Sequence, residues 1–103
     1  MSTITVPDKS VETKKKVQLK KPSRYKVVML NDNYTTMEFV INVLINIFGQ
    51  SNVEATEIMM KIHKQGRGVA GIYTFDIATT KKRHTESEAA KNGFPLKCIL
   101  EKE

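Results

Sequence analysis

The chain has no tryptophan, one cysteine, two histidines and three prolines among its 103 residues, and each shortage removes a class of protein. A lone Cys98 excludes an intramolecular disulfide and points to a reducing compartment, the cytoplasm. His63 and His84 with one cysteine give no ligand cluster for a structural zinc, and no metal or other cofactor is expected. Nowhere do eighteen apolar residues run together, and the first twenty residues lack an apolar core, so neither a membrane span nor a secretory signal is expected. At this length the composition fits one domain, burying about two-thirds of the surface exposed by its unfolded chain.

What the chain has in excess is positive charge, a net +6 that is unevenly placed. Residues 1–24 hold seven Lys and Arg against Asp8 and Glu12, whereas residues 25–103 hold ten cations and nine anions. The first stretch has few large apolar residues, no aromatic and two prolines, too little to offset chain entropy, and it is expected to be a disordered basic leader. A basic arm can bind nucleic acid through counterion release. Without interleaved aromatics for base stacking, and with a single arginine, a solvated leader is the plainer reading.

From Tyr25 the pattern turns strand-like: Tyr25, Val27 and Met29 alternate with Lys26, Val28 and Leu30, and Asn31-Asp32-Asn33 ends the run. Thr35 stands three residues before Glu38, the spacing of a capping box, and predicts a helix over about residues 36–48 that is apolar except along Glu38, Asn42 and Asn46. Gly49 stops it. Ser51 and Glu54 repeat the capping spacing and open a second helix to about Gln65, with Ala55, Ile58, Met59 and Ile62 inward. A glycine-interrupted strand through Ile72-Tyr73-Thr74-Phe75 follows. A polar third helix runs from about Asp76 to Asn92, packing through Ile77, Ala78 and Ala89 and closed by Gly93. A last strand spans Pro95 to Glu101. The predicted class is α+β: three helices on a short antiparallel sheet, in the order strand-helix-helix-strand-helix-strand.

Three patterns look like chemistry and fail on context. Gly66 to Gly71 matches G-x-G-x-x-G, but that fingerprint needs a strand before it and a helix after it, and here the order is reversed. Gly66 reads instead as a helix C-terminal residue, and Gly68 and Gly71 as a bulge or close approach. Asn33-Tyr34-Thr35 spells a glycosylation sequon that a cytoplasmic chain does not use. Cys98, alternating with Leu96 and Leu100, reads as a small core hydrophobe. His84 reads as a solvated surface residue. His63, taken alone, reads as a half-buried histidine bordering the core stripe, and Asn31-Asp32-Asn33 as a turn.

Together these residues carry a resemblance. Tyr25 through Ile41, Ala55-Thr56 with Met59, Ile62-His63-Lys64-Gln65-Gly66, Gly71-Ile72-Tyr73-Thr74 leading to Ile77-Ala78 and Thr80-Lys81, and Pro95-Leu96 through Leu100-Glu101-Lys102 resemble, in order and spacing, the ClpS family of bacterial N-degron adaptors. The similarity covers about residues 24–102. It implies a monomeric adaptor without catalytic activity. Such an adaptor captures proteins whose first residue is Leu, Phe, Tyr or Trp and passes them to the N-terminal domain of a ClpA-type AAA+ unfoldase. By the resemblance, Asn31 and Asn33 with His63 would hold the substrate's α-amine, with Asp32 nearby. Thr35, Met37, Met59, Ile62 and Leu96 would line the side-chain pocket, Met37 disfavouring β-branched first residues. Asp76, Thr80 and Lys81 would face the unfoldase.

Two positions depart from the family's usual pattern: Asn33 stands where Asp is common, removing a negative charge beside a cationic ligand, and Thr36 stands where proline is usual. For His63 to accept a hydrogen bond from an ammonium group its imidazole must be neutral, so binding is expected to weaken as pH falls through about 6.5. The competing reading from another class is a small nucleic-acid-binding protein using the Lys14 to Lys21 arm. An enzyme is disfavoured because no nucleophile, base and orienting group converge.

Overall fold

A computed structural model describes residues 21–103, and the leader assigned to residues 1–24 falls almost wholly outside them. The elements are β1 (Arg24–Leu30), α1 (Met37–Asn46), α2 (Asn52–Gln65), β2 (Arg67–Thr74), α3 (Phe75–Lys91) and β3 (Lys97–Lys102). Their order and the α+β class are those the sequence predicts. β1 lies between β2 and β3 in a three-stranded antiparallel sheet.

Helix-facing residues of the sheet, Val27, Met29, Ala70 and Cys98, join Val40, Val43 and Leu44 of α1, Ala55, Met59 and Ile62 of α2, and Ala78 and Ala89 of α3 in one core. All three helices therefore cover one face of the sheet. Simple alternation along β1 fails, because Val28 on the other face is as buried as its neighbours. Val28 is paired with Val69 and Ile99, and the Arg67–Glu101 ion pair, at 2.6 Å, spans from β2 to β3 on that face. The alkyl stems of such a pair cover apolar surface while the charges stay in water.

β2 is longer than its glycine run implies and begins at Arg67, directly after the α2 stop. Gly66 adopts φ 92°, and its N–H donates to the Ile62 carbonyl, a left-handed helix end that glycine adopts without a Cβ penalty. A Cβ on Gly68 would lie 2.8 Å from Ile62 Cγ1 and 3.3 Å from the Ile58 carbonyl oxygen, so glycine lets β2 run close against α2. Val27 pairs with Gly71 and Val28 with Val69, which leaves Ala70 as the extra residue of a β-bulge. Gln50 Nε2 donates to the Ala70 carbonyl at 2.7 Å. The G-x-G-x-x-G letters thus serve a helix end and a bulged strand.

Two packing expectations are corrected. In α3, Ile77 is 49% exposed while Thr85 is fully buried beside Ala78 and Ala89. Ala78 and Ala89 face inward as expected, with Thr85 on their stripe and Ile77 outside it. In α1 the N-cap is Thr36, whose side chain accepts from Phe39 N–H. Thr35 and Glu38 form no capping box, because the Thr35 hydroxyl is committed to Asp32. Threonine at position 36 therefore caps through its side chain, which the family's usual proline could not do. At α2 the Ser51/Glu54 box is present in both directions. Cys98 is buried, and desolvation, reinforced by Glu86 and opposed by Lys82, pushes its thiol up to about 12. It stays protonated and inert.

Candidate functional site

The β1–α1 connection is built around one carboxylate. Asp32 Oδ1 accepts from Tyr34 N at 2.8 Å and from Thr35 N at 2.7 Å, and Oδ2 accepts from the Thr35 hydroxyl at 2.7 Å. Short polar residues favour such side-chain-to-backbone turns. Burial opposes the ionisation of Asp32, but the donors from Thr35 and Tyr34 together outweigh it and hold the carboxyl below its ordinary range. The start of this loop is pinned to α2 by Asn31 N, which donates to the Gly66 carbonyl at 3.0 Å. The polar corner is thereby brought beside the last turn of α2, where His63 lies.

Between the loop and the two helices opens a cavity of about 430 Å³ lined by Asn31, Asp32, Asn33, Tyr34, Thr35, Thr36, Met37, Val40, Met59, Ile62 and His63. Its polar groups come from the loop and His63, its apolar ones from α1 and α2. Asn31, Asn33 and His63 are exposed, and none of their side chains has a hydrogen-bond partner among the described residues. His63 is thus exposed at the cavity, not half-buried at the edge of the core. The negative end of the α2 dipole lies at the same place and favours a cation there.

Eight of the nine residues named from sequence for the amine and side-chain sites line this one cavity. The ninth, Leu96, is not among the lining residues; it is buried just before β3 in the same core as Met59 and Ile62, which do line the cavity. Tyr34, Thr36 and Val40 line the cavity and were not singled out. Val40 lies one helical turn beyond Met37, a spacing that could have identified it.

The three residues named for partner docking do not behave alike. Asp76 and Thr80 are exposed on the first turns of α3, the Thr80 hydroxyl donating to the Asp76 carbonyl at 3.0 Å. Lys81 is half-buried: its Nζ donates to the Ile47 carbonyl at 2.7 Å, at the end of α1, and lies 5.3 Å from the Tyr73 ring centroid. It ties α3 to α1. Among the described residues no helix is long and apolar enough to cross a membrane.

A polar corner opposite an apolar recess in a small α+β domain defines a peptide-binding module. The family described as ATP-dependent Clp protease adaptor protein ClpS matches residues 20–99 of this chain. The ClpS adapter of Burkholderia mallei is 48% identical over 99 residues, covering 93% of this chain and 95% of its own length. That of Acetivibrio thermocellus is 46% identical over 93 residues, covering 90% and 94%. The structure of Agrobacterium tumefaciens ClpS2 bound to L-phenylalaninamide superposes with a TM-score of 0.77 at 38% identity, covering 81% of this chain and all of that one. The chain belongs to the ClpS family of Clp protease adaptors.

Proposed function

We propose that this protein captures polypeptides whose first residue is Leu, Phe, Tyr or Trp and delivers them to a ClpA-type unfoldase for ATP-dependent proteolysis, with no catalytic step of its own. The observation that carries this reading is the cavity, which sets unpartnered acceptors at Asn31, Asn33 and His63 beside an apolar lining of Met37, Val40, Met59 and Ile62. A free α-ammonium group needs the first and a large apolar side chain needs the second. The ligand of the Agrobacterium relative, L-phenylalaninamide, has both. Docking to the unfoldase falls to Asp76 and Thr80 on the exposed start of α3, with Lys81 bracing that helix against α1.

Burying a Leu or Phe side chain contributes about 1.5–3 kcal/mol, and each hydrogen bond to the ammonium about 1.5–3 kcal/mol. After immobilisation costs, two or three such bonds give an affinity on the order of micromolar. Met37 lines this cavity and is 44% exposed, and in this reading it meets the β-carbon of the first residue. In fluorescence anisotropy with peptides differing only at that residue, Phe, Leu, Tyr and Trp should bind with micromolar affinity and Ile about tenfold or more weakly. Equal binding of Phe and Ile would remove the side-chain selection assigned to Met37.

A further inference from the structure

We infer that Tyr34 reads the second residue of the bound polypeptide, favouring an aromatic or arginine side chain there over glycine or aspartate. The inference rests on the N-degron reading above. In a chain held by its α-ammonium and first side chain, the second residue lies only about 3.3–3.6 Å further along than the anchored one. The second residue is therefore at the rim. Tyr34 lines the cavity and is yet 75% exposed, more than any other large apolar side chain described.

The backbone that carries the ring is fixed. Its own N–H is held by Asp32 Oδ1, and the next residue is held by Asp32 through both backbone and hydroxyl. The other two tyrosines are covered, Tyr25 by Phe75 and Tyr73 by Phe48 and Lys81. No aromatic or cationic side chain among the described residues stacks on Tyr34. An exposed aromatic side chain with only two side-chain torsions on an anchored loop is a low-entropy contact for a ligand. Its negative quadrupole attracts ring edges and guanidinium groups and repels carboxylates, a repulsion to which the nearby Asp32 carboxylate adds.

The test compares phenylalaninamide, which has no second residue, with the amides of Phe-Arg, Phe-Trp, Phe-Gly and Phe-Asp on the wild type, Tyr34→Ala and Tyr34→Phe. The wild type should bind the Arg and Trp ligands about three- to tenfold more tightly than the Gly ligand. Tyr34→Ala should erase that ranking, Tyr34→Phe should keep it, and Tyr34→Ala should cost Phe-Arg amide more affinity than it costs phenylalaninamide. The same ranking on Tyr34→Ala and wild type would overturn the inference. So would an equal loss of phenylalaninamide and Phe-Arg amide on Tyr34→Ala, since Tyr34 would then act on the first residue. A wild type that does not bind phenylalaninamide would bring down the N-degron reading and this inference together.

Discussion

Asp32→Ala is expected to weaken binding of a peptide beginning with phenylalanine by about 10- to 100-fold, with the circular dichroism of the folded domain unchanged. Two effects combine. The three hydrogen bonds that hold Tyr34 and Thr35 are lost, each of a charge-assisted kind worth about 1.5–3 kcal/mol, so the loop carrying Asn33 is no longer fixed. The second effect is charge: with Asn at position 33, Asp32 is the only carboxylate that lines the cavity among the described residues.

Asp32→Asn separates the two, because an amide oxygen can still accept from the loop while the charge is gone. It should fall between wild type and alanine. Titration of Asp32 does not enter at working pH. Its pKa is lowered in the fold, so its bonds are present above the ordinary carboxylate value of about 3.9 and are lost only as pH falls through the depressed value.

Leu44→Ala should do the opposite, reducing stability by about 2–5 kcal/mol while leaving the affinity of the remaining folded molecules near that of wild type. Leu44 is fully buried at the centre of the core, and its carbonyl also accepts from Gln50 N at 3.0 Å. No cavity-lining residue touches the change directly in sequence, the nearest being Val40 one turn away. For a domain of this size the loss corresponds to a melting temperature lower by about 10–30 °C. A drop of less than about 5 °C in thermal denaturation would mean that the core repacks around the vacancy.

The element order was legible because its punctuation is local: Asn31-Asp32-Asn33, Gly49, Ser51 with Glu54, Gly66 and Gly93 each carry their own stop or start chemistry. What sequence did not decide was competition between equivalent neighbours. Thr35 and Thr36 can both cap α1, and the choice fell to Thr36 because Asp32, three residues back, captures the Thr35 hydroxyl. The glycine run hid the first half of β2, whose close approach to α2 is a tertiary fact. Ile77 was expected inward with Ala78 and Ala89 but is exposed, because periodicity in so polar a helix is too weak to fix the edges of its buried stripe. At the site, Asn31 and His63 are far apart in the chain. The pairing of Leu30 with Arg67 and the Asn31 N to Gly66 carbonyl bond bring them to one cavity, and it was the family resemblance, not spacing, that paired them. That same resemblance named Leu96, which the fold buries in the core it shares with the cavity residues Met59 and Ile62.

The central claim is that the cavity recognises a free α-ammonium group together with an apolar side chain. It is tested most directly by anisotropy on two peptides identical except that one has its N-terminal phenylalanine acetylated. The account predicts micromolar binding of the free peptide and a loss of at least about 100-fold on acetylation, since the charge and the donors to Asn31, Asn33 and His63 disappear together. Equal affinity for the two peptides would contradict it.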